Sequence, residues 1–261
     1  MTKYLEYSLE YASQRSYLDD LYHIYPTIPN GLREINKSVW GEVERAFTAR
    51  DDLMLVKNLL KLDLFPFKDS YVGYLRTDES ALERNPRTVS RLASVIYDMG
   101  ITEAYKNATT PKENNRQMGP CFKQWIAKGS LGLPLKPYSS FVWGKDDALL
   151  QASDAQMMDF AKRKLNYTRN KGLDFVARIR GKYVIGEAKF LTCEGGHQNA
   201  QFDDAISTLM TPNVNAIQIA ILDGILYVPN GSKMYRRLMT DFSEKNIMSA
   251  LVLREFLYEI Y

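Results

Sequence analysis

Apolar residues recur at helical spacing from Asp51 to Leu62 and again from Thr88 to Met99, so the first hundred residues are expected to be mainly helical. Asn85-Pro86 should open the second of these helices and Gly100 close it, because proline suits a first helical turn and glycine the residue past the last. Between them LFPFKDSYVGYLR, with aromatics and a proline, is expected to be a loop holding a short helix or strand. A third helix is expected over Glu113 to Lys128, kinked or restarted at Gly119-Pro120 and ended at Gly129. The segment from Leu131 to Trp143, which holds two prolines, reads as a loop running into a short strand, and Ser153 then caps a helix, SDAQMMDFAKRKL.

After Leu165 the pattern changes. LDFVARIR and KYVIGEAKF carry strand-forming residues and are joined by a glycine turn, and the polar EGGHQNAQFDDAISTLM reads as loop and helix. AIQIAIL predicts a buried strand, Asp223-Gly224 a tight turn into ILYV, and the stretch from Ser232 to Tyr261 an amphipathic helical end. The expected fold class is therefore α/β (α+β): a mixed sheet flanked by helices over residues 111–261, placed after a mainly helical region over 1–110.

Composition narrows the function more than the fold. A hydrophobic share of 45% and a charged share of 25% describe an ordinary folded chain. The opening MTKYLEYSLEYASQRS lacks the apolar core of a signal peptide, and no stretch runs about 18 apolar residues without a charge, so neither secretion nor membrane spanning is expected. Two cysteines, Cys121 and Cys193, are too few for a disulfide framework or a zinc cluster and fit a reducing cytoplasm. With His23 and His197 the only histidines, a histidine-based nuclease has little to work with, and without a GxxxxGK[ST] segment no nucleotide cofactor is expected.

The net charge of +3 permits a nucleic-acid partner without demanding one. Its distribution says more. Between Ala161 and Phe190 nine basic residues face only two acidic ones, Asp174 and Glu187, which would draw a polyanion to this stretch.

Those two acids lie on the expected hairpin. Side chains alternate between sheet faces with a period of two, so Glu187 and Lys189 share a face. A turn at Gly181-Lys182 would set Asp174 across from Lys189, and a turn at Arg180-Gly181 would set it across from Glu187. Either even-length loop places all three on one face at one end of the hairpin. Two converging carboxylates offer hard oxygen ligands to Mg²⁺, and an adjacent lysine can orient water or steady a phosphate, which together describe phosphodiester hydrolysis. The plainer account is a cross-strand ion pair among surface charges. Against it stand the apolar neighbours Tyr183, Val184, Ile185, Ala188 and Phe190, because burying charges without a task is costly.

At these residues the chain resembles a known group. GLDFVARIRGKYVIGEAKF is similar to the signature of PD-(D/E)xK nucleases, with Leu173 standing where the signature has proline. GEAKFLTCEGGHQNAQFDDA and the upstream ENNRQMGPCFKQWIAKG resemble the corresponding passages of type II restriction endonucleases. The resemblance implies a restriction-endonuclease-like core, Mg²⁺-dependent cutting of double-stranded DNA, and a homodimer on a palindromic site. It also implies an additional acid from the helix before the sheet, for which Glu113 is the candidate.

Arg116, Gln117 and Lys123 on that helix, Lys171 before the hairpin, and Gln198, Asn199 and Gln201 after the Gly-Gly turn are candidates for DNA contact, since amides and cations can reach phosphates or base edges. NPRTVSRLASVIYDMGITEAY could imitate a helix-turn-helix reader, but its apolar stripe equally suits a packed helix. Two other functions stay open on the sequence: a repair or structure-specific nuclease, and a DNA-binding module without cleavage.

Overall fold

A computed structural model of the chain describes residues 1–14, 16–26, 33–110, 118–229 and 231–260. The chain forms two compact units, one of Ile28–Glu113 and one of Met1–Thr27 together with Asn114–Tyr261. Helices α1 (Lys3–Ser13) and α2 (Tyr17–Ile24) open the second of these. The first 27 residues therefore divide from the helical region expected over 1–110. Leu5, Tyr17, Leu21 and Ile24 bury themselves in the core of the sheet unit, a partnership that local periodicity does not encode.

The Ile28–Glu113 unit is helical throughout its described secondary structure: α3 (Lys37–Ala49), α4 (Asp52–Leu60), α5 (Val72–Thr77), α6 (Ala81–Arg84), α7 (Pro86–Met99) and α8 (Ile101–Ala108). Asn36 caps α3 and Asp51 caps α4 through their side-chain oxygens. Pro86 begins α7 and Gly100, at φ 81°, ends it, as the sequence predicts. Trp40, Val43, Leu55, Leu59, Leu92 and Ile96 form the core of this unit.

In the other unit α9 (Met118–Ala127) leads to β1 (Leu135–Pro137), α10 (Tyr138–Trp143) and β2 (Ala148–Gln151). Then follow α11 (Asp154–Leu165), the hairpin β3 (Phe175–Ile179) and β4 (Lys182–Leu191), α12 (Gly196–Leu209), and β5 (Ile217–Gly224) with a 3₁₀ turn. The chain ends in α13 (Lys233–Thr240), β6 (Ile247–Met248) and α14 (Ala250–Glu259). The six strands form one mixed sheet in chain order. β1 and β2 run parallel, β2–β3 and β3–β4 antiparallel, and β4–β5 and β5–β6 parallel.

Each face of the sheet has its own core. Val176 and Ile185 pack on one side with Phe141, Met157 and Phe160 of α10 and α11. On the other, Ala177 and Val184 join Phe122 of α9, Phe202 of α12 and Leu253 of α14. A mixed sheet flanked by helices, consistent with a restriction-endonuclease-like fold, is what the sequence predicts.

Gly119-Pro120 lies within α9, and the start of the helix expected at Glu113 lies outside the described residues. Three local expectations change. The segment to Trp143 holds a three-residue strand and a short helix, and β2 follows it unforeseen. Asp223-Gly224 is no hairpin turn but the buried end of β5. The last stretch is broken by β6. Among the described residues no helix is long and apolar enough to cross a membrane.

Candidate active site

The hairpin turn is Arg180-Gly181, both residues in the left-handed region at φ 46° and 76°, as a type I′ turn requires. Ile179 pairs with Lys182 and Phe175 with Gly186, and one further step sets Asp174 across from Glu187. Asp174 N–H donates to Gly186 O, while its Oδ2 accepts from Ala188 N–H at 3.0 Å. The acid is thus seated on β4 by main-chain bonds from both directions.

Glu187 and Lys189 continue the face on which Tyr183 and Ile185 pack against α11. Lys189 Nζ donates to Asp174 Oδ2 at 3.2 Å and to Glu187 Oε1 at 2.6 Å. All three line an open cavity of about 380 Å³, whose other walls include Asp154 and Ala155 at the start of α11 and Lys171-Gly172 of the loop between α11 and β3. Gly172 makes this approach possible, because a Cβ there would lie 2.7 Å from Asp154 Cβ.

Glu187 is only 1% exposed, and its Oε2 has no hydrogen-bond partner. Burial, and then the charge of Asp174, push its carboxyl up to about 7 against the pull of Lys189 and Lys171. Burial works to lower Lys189, but the two carboxylates outweigh it and raise the ammonium above its usual value. The cluster therefore holds two acids and one firmly protonated amine at the mouth of a cavity.

Residues 2–260, nearly the whole chain, match the Tsp45I type II restriction enzyme family. The chain belongs to this family. As a Tsp45I-family member it is a type II restriction endonuclease, a site-specific deoxyribonuclease acting on DNA. Comparisons with curated proteins and with solved structures found no match.

Type II restriction enzymes generally use a divalent metal, and the residues of this Tsp45I-family site fit one. A buried carboxylate oxygen without a donor is costly, and a cation beside Glu187 Oε2 would relieve that cost. Among the described residues no cluster of three or more His, Cys, Asp or Glu side chains is placed to ligate, and the described cavity brings together the carboxylates of Asp174 and Glu187. That pair suits a hard cation that fills its remaining positions with water and phosphate oxygens.

Of the other candidates, Glu113, Arg116 and Gln117 lie outside the described residues. Lys123 on α9 pairs with Asp154 and borders a second, apolar hollow beside Asp174. Lys171 lines the main cavity, 3.8 Å from Glu187 Oε1. Asn199 and Gln201 are half-buried on α12, and Gln201 lies 3.5 Å from His197 Nδ1. Gln198 turns inward instead: it is buried, and its Oε1 accepts from Thr192 N–H, so it braces the loop after β4.

Sequence reasoning passed over Asp154, Arg169 and Asp204. Asp154 had a signal, since the Ser153 cap puts it in the first turn of α11. Asp204 and Arg169 had none, because their pairing joins α12 to a loop 35 residues earlier.

Proposed function

We propose that Asp174 and Glu187 hold a Mg²⁺ ion and that Lys189 assists the attacking water, so that the endonuclease makes sequence-specific double-strand cuts by phosphodiester hydrolysis. One observation carries this reading. Asp174 Oδ2 and Glu187 Oε1 converge on a single point, marked by Lys189 Nζ at 3.2 and 2.6 Å, while Glu187 Oε2 stays buried and unpartnered.

Bound there, Mg²⁺ supplies Lewis acidity that polarises the scissile phosphodiester and steadies charge on the leaving 3′ oxygen. Asp174, fixed by Gly186 and Ala188, and Glu187, fixed by burial, set where the phosphate must lie. Lys189 stays protonated between them and offers N–H donors to the water or to phosphate oxygens as negative charge builds. Lys123 and Lys171 are proposed phosphate contacts, and Asn199 and Gln201 contacts on the α12 side. Arg116, Gln117 and the additional acid Glu113 keep their sequence-based assignment.

The helical unit is assigned to recognition or dimerisation, and the working enzyme to a homodimer, because two antiparallel strands are cut symmetrically by two centres about a two-fold axis. The reading places this work in the cytoplasm and needs no nucleotide cofactor.

Digestion of plasmid and phage DNA tests it. Discrete fragments should form with Mg²⁺, vanish in chelator and return on adding Mg²⁺, and sequenced fragment ends should share one motif. Cleavage without a divalent ion, or full activity in Lys189→Ala, would remove the assignment.

A further inference from the structure

The loop between α11 and β3 carries two cations, Arg169 and Lys171, and one carboxylate on α12 holds both. Asp204 Oδ2 takes the Lys171 ammonium at 2.5 Å, and Oδ1 takes Arg169 Nη2 at 3.3 Å. Arg169 Nη1 also donates to the Asp204 carbonyl at 3.1 Å and to the buried Thr208 Oγ1 at 2.7 Å. The clasp has an electrostatic consequence for Asp204 itself. Burial works to raise its carboxyl, but Lys171 and Arg169 outweigh this and hold it below the usual carboxylate range.

Lys171 lies between two acids of unequal claim. Its ammonium is 3.8 Å from Glu187 Oε1, too far for a hydrogen bond, and 2.5 Å from Asp204 Oδ2. A lysine stem is flexible enough to close on a buried carboxylate that near, and among the described residues the Asp204 contact draws it the other way. Held off Glu187, the ammonium stays at the cavity wall with donors left for an incoming anion. Of the clasp's three charged groups, only Lys171 lines the cavity.

We propose that Asp204 is a positioning residue: it holds Lys171 as an anchor for a phosphate of the bound DNA strand and keeps that ammonium away from Glu187. The proposal rests on the cavity being where DNA is cut.

The test is binding of a fluorescent duplex carrying the cleaved site, followed by anisotropy in chelator over a range of salt, so that the readout does not depend on turnover. Lys171→Gln should weaken binding about tenfold and flatten the plot of log affinity against log salt by about 0.9, the signature of one lost phosphate contact. In cleavage assays its loss should fall on KM more than on kcat. Asp204→Asn should move affinity and slope the same way, and Asp204→Glu should restore most of both.

In a Lys171→Gln background, Asp204→Asn should add nothing, because the two act through one contact. Wild-type affinity and slope in Lys171→Gln would overturn the proposal, as would an Asp204→Asn defect that persists undiminished in that background. Should Asp204→Asn fail to fold, Lys171→Gln and Asp204→Glu still decide it. Failure of the functional reading looks different: cleavage then proceeds without a divalent ion, or stays at full rate in Lys189→Ala.

Discussion

Two carboxylates lie buried on neighbouring strands of the same sheet, Glu187 on β4 and Asp223 on β5, and they are dressed differently. Burial is the leading cause that raises both, Glu187 to about 7 and Asp223 to about 6. Asp223 is surrounded by donors: Tyr25 Oη at 2.8 Å and Ala250 N–H at 3.2 Å on Oδ2, and Ser249 Oγ on Oδ1. Ser249 also caps α14, and Tyr25 ends α2, so this acid ties both chain ends to the sheet. Glu187 has Lys189 on one oxygen and nothing on the other. A shifted carboxyl alone therefore does not mark a reactive site. On the proposed reading, the oxygen left without a donor separates an acid that braces the fold from one that would hold a cation.

The widest separation should come from Glu187→Gln. With a ligand gone, kcat/KM is expected to fall on the order of 10³-fold or more, about 4 kcal/mol of transition-state stabilisation. The melting temperature in chelator should hold or rise, because a buried charge has been removed. Loss of folding with activity would erase the distinction from Asp223. Lys189→Ala comes next, with a roughly 10²- to 10³-fold loss of cleavage. It leaves Asp174 and Glu187 facing each other without the amine, so its melting temperature in chelator should drop and recover on adding Mg²⁺. No recovery would argue that the two acids do not share an ion.

The same contrast explains what the sequence discloses. Asp174, Glu187 and Lys189 could be placed together because a hairpin is local: period-two alternation gives them one face with either even-length turn, and the structure's Arg180-Gly181 turn then sets Asp174 across from Glu187. The cap at Ser153 and the ends of α7 are legible for the same reason. Asp223-Gly224 misleads because an Asp-Gly pair usually signals a turn, whereas its conformation here is set by Tyr25, 198 residues away, and by the close approach of Leu191 O to Gly224, where a Cβ would lie at 2.1 Å. Gln198 looks like a free amide until Thr192 N–H claims it. The clasp of Arg169 and Lys171 by Asp204 likewise needs α12 folded against the loop. What spans the chain has no periodic signature, and half of the comparison was invisible until the strands were paired.

Asp223→Asn should act on the other side. The amide keeps one acceptor but brings an N–H₂ toward groups that already donate, and the expected loss of stability is about 1–3 kcal/mol in chemical denaturation. Cleavage measured well below the melting temperature should stay near wild type. Activity lost out of proportion to folding would place Asp223 with Glu187 after all.

The smallest effect is one of pH, and its sign follows from the direction of the shift. Asp223 in the folded protein is raised to about 6 from an ordinary value of 3.8, so the folded state binds the proton more tightly than the unfolded chain does. Its contribution to stability is then full below about pH 4 and is lost as pH rises through 6. Other carboxyls, Asp69 and Glu259 among them, are lowered and act in the opposite sense, so the total curve hides this acid. Subtracting the Asp223→Asn curve from wild type, both in chelator, isolates it: the difference should decline from pH 4 to pH 6 and level off above. A difference that grows with pH over that range would mean that the donors from Tyr25, Ser249 and Ala250 favour the ionised form more than burial opposes it. The two acids would then differ in their ionisation as well as in their partners, with Asp223 a charged brace and only Glu187 strained by its burial.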